Sequence, residues 1–134
     1  MTSTFELRGR FSRFLAKHAS VQKYAKYSGR PFKVAELAGH KVSTFDGPWL
    51  QEWYWRNDEF LPASYAMLDT LQYVRWYFRD RPNLPPPQSV KLADVCKYFD
   101  IPVPHSHDAL ADAKSAVALM RRLRWHPQPS ALYD

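Results

Sequence analysis

Asp46, His107 and Asp112 are the residues of this chain whose types and placement could do chemistry together. Asp46 follows Lys41 to Phe45, a run that could be a strand, and precedes Gly47-Pro48, which suits the first turn of a helix. His107 and Asp112 stand on either side of another helix start, in the stretch Pro104-His105-Ser106-His107-Asp108-Ala109-Leu110-Ala111-Asp112-Ala113. Carboxylates hold hard divalent ions through oxygen, and paired ions can activate a water and stabilise a leaving phosphate oxygen. An imidazole nearby can take that water's proton near neutral pH. These are the parts of a metal-assisted phosphodiester hydrolysis. The bland alternative is that acids and histidines at helix starts serve as caps.

The elements that must position these groups follow from apolar spacing. Leu110, Ala113, Val117, Met120 and Leu123 recur at helical period, which predicts a helix from about Asp108 to Leu123 with that stripe inward. Residues 7–27 place Phe11, Phe14, Leu15, His18, Val21 and Ala25 on one side, predicting an amphipathic basic helix that Gly29-Arg30-Pro31 stops. His18 then reads as a structural histidine on the apolar side. A short apolar element, Phe32 to Leu37, leads into the Lys41–Phe45 strand. The helix Trp49 to Trp55 presents Trp49, Leu50, Trp53 and Tyr54 as core. Tyr65 to Leu68 reads as a short buried strand. Asp69-Thr70 then starts a helix carrying Leu71, Val74 and Phe78, with Asp69 as its cap. Four prolines between Arg79 and Pro87 demand an exposed, stiff connection. Leu92, Val95, Cys96 and Phe99 mark one more helix face, with Cys96 a buried thiol.

Composition bounds the class. With 134 residues, 46% of them hydrophobic and 16% aromatic, the chain holds enough apolar surface to fold as one domain. Its expected parts are a basic helix over 1–30, a core over 38–123 and a loosely packed tail over 124–134. The formal net charge is +6. It is uneven, because Arg8, Arg10, Arg13, Lys17, Lys23, Lys26, Arg30 and Lys33 face Glu6 alone in the first 34 residues. Such a face suits a phosphate backbone. A single cysteine excludes a disulfide framework, and no apolar run approaches the roughly 18 residues of a membrane span. A soluble, cytoplasmic protein with no membrane partner is expected.

His107-Asp108-Ala109-Leu110-Ala111-Asp112-Ala113 resembles the third motif of the DnaQ-like 3′-5′ exonucleases of the DEDDh type: a His, four residues, then an Asp between alanines. Phe45-Asp46 resembles the second motif, and Leu68-Asp69-Thr70-Leu71 looks like the strand-to-helix step between the two. The resemblance covers about Ala38 to Leu123. It implies an α/β, ribonuclease H-like fold and release of nucleotides from the 3′ end of DNA or RNA. It also implies two Mg2+ or Mn2+ ions held by the carboxylates of Asp46 and Asp112, with His107 as the base that deprotonates the attacking water. His105 is then a neighbour, since the family pattern needs one histidine, although His105 and His107 as a His-x-His pair could bind a transition metal. Nucleic-acid contacts are expected from Phe45 and Lys41, and from Arg13 and Lys17 of the basic helix.

Two departures shape the expectation. Lys41 stands where the second motif commonly has Asn, and Val42-Ser43-Thr44 makes the approach to Phe45-Asp46 one residue longer. No Asp-x-Glu triplet, the family's first motif, occurs upstream of Asp46. The expected fold is therefore helix-rich and lacks most of the N-terminal strands. The expected site is incomplete in this chain alone, with weak metal binding. A preceding segment, a second chain or a homo-oligomer would complete sheet or site. Two further readings stand beside this one. The first is a catalytically dead relative that binds nucleic acid or a protein through the basic helix and Trp49, Trp53 and Tyr54. The second is an unrelated α/β domain in which His107 and Asp112 only start a helix.

Overall fold

The computed structural model describes residues 2–103 and 108–124. The chain divides into two compact units, Met1–Leu68 and Asp69–Asp134.

The first unit opens with α1 (Thr4–Lys17), which starts in a capping box. The Ser3 hydroxyl accepts the Glu6 N–H at 3.2 Å while the Glu6 carboxylate accepts the Ser3 N–H at 3.3 Å. The helix stops at His18, short of the expected Tyr27. Residues 18–27 are instead the near half of a hairpin, β1 (Val21–Tyr24) against β2 (Pro31–Val34), antiparallel with Val21 opposite Val34 and Tyr24 opposite Pro31. Ser20 donates to the Val34 carbonyl at 2.9 Å, so strand pairing outcompetes a helix that only Val21 and Ala25 would have anchored. Gly29 adopts φ +67° in the connecting turn, a left-handed conformation in which glycine carries no Cβ penalty.

Beyond the hairpin the chain stays extended through Ala35 and Leu37 into β3 (Ala38–Gly39) and then enters a π turn over Val42–Asp46. The expected strand over Lys41–Phe45 is thus corrected to a helical turn. From it grows α2 (Gly47–Arg56), with Pro48 in its first turn as expected. The return segment makes a parallel bridge from Ala63 to Ala35 and ends in β4 (Leu68–Asp69), which neighbours β3. Ala35 donates to the Pro62 carbonyl, Ser64 to Ala35, and Leu68 to Leu37, at 2.8–3.0 Å. Parallel pairing requires a long crossover, here containing α2, so this stretch is a strand–helix–strand unit of an α/β fold. Tyr65 and Leu68 are exposed, which corrects the buried strand expected there.

The core of this unit gathers Leu15, Ala35, Tyr54, Leu61 and Ala63. A polar network crosses it. Arg8 is only 5% exposed, donates to Glu59 at 3.1 Å and lies over the Trp53 ring. The Tyr54 hydroxyl donates to the Arg8 carbonyl and lies 2.7 Å from the Ser12 hydroxyl. Of the aromatics expected as core on α2, Tyr54 is buried and Trp49 is exposed.

The second unit is helical: α3 (Thr70–Arg79), α4 (Leu92–Tyr98) and α5 (Ala109–Arg124). Helix α5 packs on both others around Val74, Tyr77, Val95, Phe99, Leu119 and Leu123. Cys96 is fully buried, as its apolar face requires. Residues 80–91 form the expected connection without helix or strand. The buried stripe of α5 is corrected: Ser115, Ala116, Leu119 and Leu123 face inward, while Leu110 and Val117 are exposed. Small side chains at Ser115 and Ala116 let the helix approach its neighbours, which size-blind periodicity does not register. The tail from Trp125 lies outside the described residues.

Candidate active site

Asp46 ends the π turn, and that turn is built by two backbone features. Lys41 enters it at φ 67°, ψ 19°, a left-handed conformation that costs a residue with a Cβ roughly 1–2 kcal/mol. Gly47 closes it, its N–H reaching the Val42 carbonyl five residues back. A Cβ at Gly47 would come 2.7 Å from that carbonyl oxygen and would collide with the Met67 thioether, so only glycine fits there. The Lys41 ammonium lies 5.7 Å from the Phe45 ring centroid, and Phe45 is 59% exposed. Lys41 and Phe45 therefore stand together at the rim that carries Asp46. Arg13 and Lys17 are exposed one turn apart on α1.

The capping alternative separates the acids. Asp69 caps α3, its carboxylate accepting the Leu71 N–H at 2.9 Å. Asp108 caps α5, its carboxylate accepting the Ala111 N–H at 3.1 Å. Asp46 makes no capping bond to α2, and its own backbone is already helical at φ −64°, ψ −41°. Asp112 lies in the first turn of α5, exposed, with the capping role taken by Asp108 four residues earlier. Asp46 and Asp112 are thus the junction acids not spent on caps. His107 and His105 lie outside the described residues.

Asp46 belongs to the first unit and Asp112 to the second. In the second unit Asp112 acts at a distance on Cys96: burial pushes the thiol pKa up, and the Asp112 charge adds to that rise. Cys96 is thereby kept a neutral thiol, unsuited to nucleophilic work.

Residues 5–120 match the family model described as Exonuclease. The chain belongs to the exonuclease family. No curated protein matches the chain significantly, nor does any solved structure. The exonuclease match begins at residue 5, so α1 and the hairpin are part of the family domain, ahead of the segment carrying the motif resemblance. An exonuclease domain implies a ribonuclease H-like α/β fold, and the strand–helix–strand unit with its helix-rich surroundings is consistent with it. It also brings a nuclease-like function with nucleic acid as substrate. No described helix is long and apolar enough to cross a membrane.

Exonuclease-family proteins generally use divalent metals. The donor type fits, since Asp46 and Asp112 offer exposed oxygen ligands of the kind Mg2+ takes. The donor number does not reach a full site: among the described residues no three His, Cys, Asp or Glu side chains converge. The sequence reading missed Gly47, although Gly-Pro after an acid is a visible local signal. It also missed buried Arg8, which had no signal, because its partner Glu59 is 51 residues away.

Proposed function

We propose that this chain is a 3′-5′ exonuclease of the DEDDh type, hydrolysing the terminal phosphodiester of a DNA or RNA strand. The observation that carries this reading is the family match over residues 5–120, joined to two junction acids that cap nothing. Asp46 and Asp112 are the proposed metal-binding carboxylates and His107 the proposed general base. The bound Mg2+ or Mn2+ ions would lower the pKa of the attacking water and neutralise charge on the leaving oxygen. Lys41 and Phe45, side by side at the rim of the π turn, would hold the terminal nucleotide, the ammonium on a phosphate and the ring against a base or sugar. The π turn supports the motif assignment, because a turn closed five residues back accommodates the extra residue ahead of Phe45-Asp46. Two carboxylates are fewer ligands than a divalent ion usually takes, so metal binds weakly to the chain alone and tightens if a second chain contributes acids.

The test is release of mononucleotides from 3′-labelled single strands with manganese or magnesium. Wild-type protein should release label in a metal-dependent way. His107→Ala should lose about 10²–10⁴-fold in rate, the usual worth of a general base. Asp46→Asn and Asp112→Asn should abolish release without loss of fold. Metal-independent release, or wild-type rates in all three variants, would refute the assignment.

A further inference from the structure

Within the second unit, α3 and the proline-rich connection after it enclose a cleft of about 760 Å³ that neither motif accounts for. Gln72, Arg75, Trp76 and Arg79 line it from the helix, and Pro82 and Pro86 from the connection. The four helical residues follow the i, i+3, i+4, i+7 rule and so share one face, spanning about 10 Å at 1.5 Å per residue. Val74 and Tyr77 on the same helix turn into the core. The cleft floor is anchored, since Phe78 and Leu84 line it and also pack on that core.

Two features indicate what the cleft takes. Trp76 is left 64% exposed at its edge, a large π face without a protein partner among the ring contacts of the described residues. Among the described residues Arg75 and Arg79 make no ion pair and no carboxylate lines the cleft. Arg81 shows the contrast: it donates to the Tyr77 carbonyl at 3.1 Å and stacks 3.9 Å from the Tyr77 ring, so it is spent on structure. A flat aromatic face beside two uncommitted guanidinium groups complements bases joined by phosphates. The proline wall keeps that shape without ordering cost, because its backbone is already restricted.

We propose that this cleft is a subsite for single-stranded nucleic acid, with Trp76 stacking on a base and Arg75 and Arg79 holding the flanking phosphates. The proposal rests on the reading of the chain as a nucleic-acid phosphodiesterase and adds a strand contact remote in sequence from the motif residues. Its test is fluorescence anisotropy of short labelled oligo-dT and oligo-U with the intact chain in EDTA, where no hydrolysis occurs. Trp76→Ala should weaken binding about fivefold or more, while Trp76→Phe stays within about twofold of wild type. Arg75→Gln with Arg79→Gln should flatten the slope of log affinity against log salt by about 1.4, the single-strand value for two phosphates. Heparin, which has charge but no bases, should bind Trp76→Ala and wild type alike. Oligonucleotide affinity unchanged in Trp76→Ala, an equal loss of heparin affinity, or binding of an acidic peptide in preference to the oligonucleotide would each overturn the proposal. Manganese-dependent cleavage is followed in parallel. Trp76-dependent binding without any cleavage leaves the cleft standing and removes the catalytic reading. Cleavage with Trp76-independent binding does the reverse.

Discussion

At Gly47 and Asp46, adjacent residues carry opposite kinds of constraint. Gly47 is confined by contacts a Cβ cannot enter, whereas Asp46 is exposed and spent on no cap. Replacing glycine by alanine near a helix start ordinarily stabilises by about 0.4–1 kcal/mol through the unfolded state. Here the sign should reverse, with Gly47→Ala costing about 1–3 kcal/mol by overpacking against Val42 and Met67, as read by denaturant unfolding. The same measurement separates the acids. Asp69→Ala should lose about 1 kcal/mol with its capping bond to Leu71, while Asp46→Ala should stay within about 0.5 kcal/mol of wild type. Equal losses at the two positions would return Asp46 to a structural role.

Helix α5 shows what periodicity reads well and what it does not. Its existence and extent were legible from apolar spacing, but its inward face was not, because that face includes Ser115, a polar residue whose hydroxyl donates to the Pro102 carbonyl, and the small Ala116, neither of which stands out in a stripe of large apolar residues. Leu119→Ala should therefore cost about 2–5 kcal/mol, the range for emptying a core site, and Leu110→Ala less than about 0.5 kcal/mol. Thermal or denaturant unfolding of the two variants decides the face. The α1–β1 boundary fails for a different reason. Val21-Gln22-Lys23-Tyr24 fits helix or strand locally, and its hydrogen-bonding partner, Pro31–Val34, settles it only through the turn at Gly29. The strand expected over Lys41–Phe45 went the same way, since Val and Thr favour strands while the Gly47 contact closes a π turn.

For the molecule as a whole, stability should depend on pH through the core of the second unit. Burial raises the Tyr77 phenol above its ordinary 10.0, opposed in part by Arg81 and Arg122, and raises the Cys96 thiol above its ordinary 9.0, aided by Asp112. Both groups keep their protons in the folded state at a pH where the unfolded chain has lost them. The folded state then binds more protons, so stability falls as pH rises. It is intact below about 9, declines from there through 10, and levels off only above the raised folded values. Unfolding midpoints across alkaline pH should show this decline, and Cys96→Ala combined with Tyr77→Phe should flatten it. An unchanged slope in the double variant would place the alkaline sensitivity elsewhere.

The sequence by itself determined what is local. The third-motif resemblance, the capping role of Asp69, the stiff connection after Arg79 and the burial of Cys96 all follow from neighbours a few residues apart, and the exonuclease family follows from the residue pattern over 5–120. Tertiary structure alone decided what depends on distant partners. Arg8 is buried because Glu59, Trp53 and Tyr54 enclose it, residues 21–34 are a hairpin because two short runs pair, and Trp76 is left at a cleft edge because α3 commits its other face to the core. Local spacing records which side chains share a face; which face is covered is set by whatever the rest of the chain packs against it.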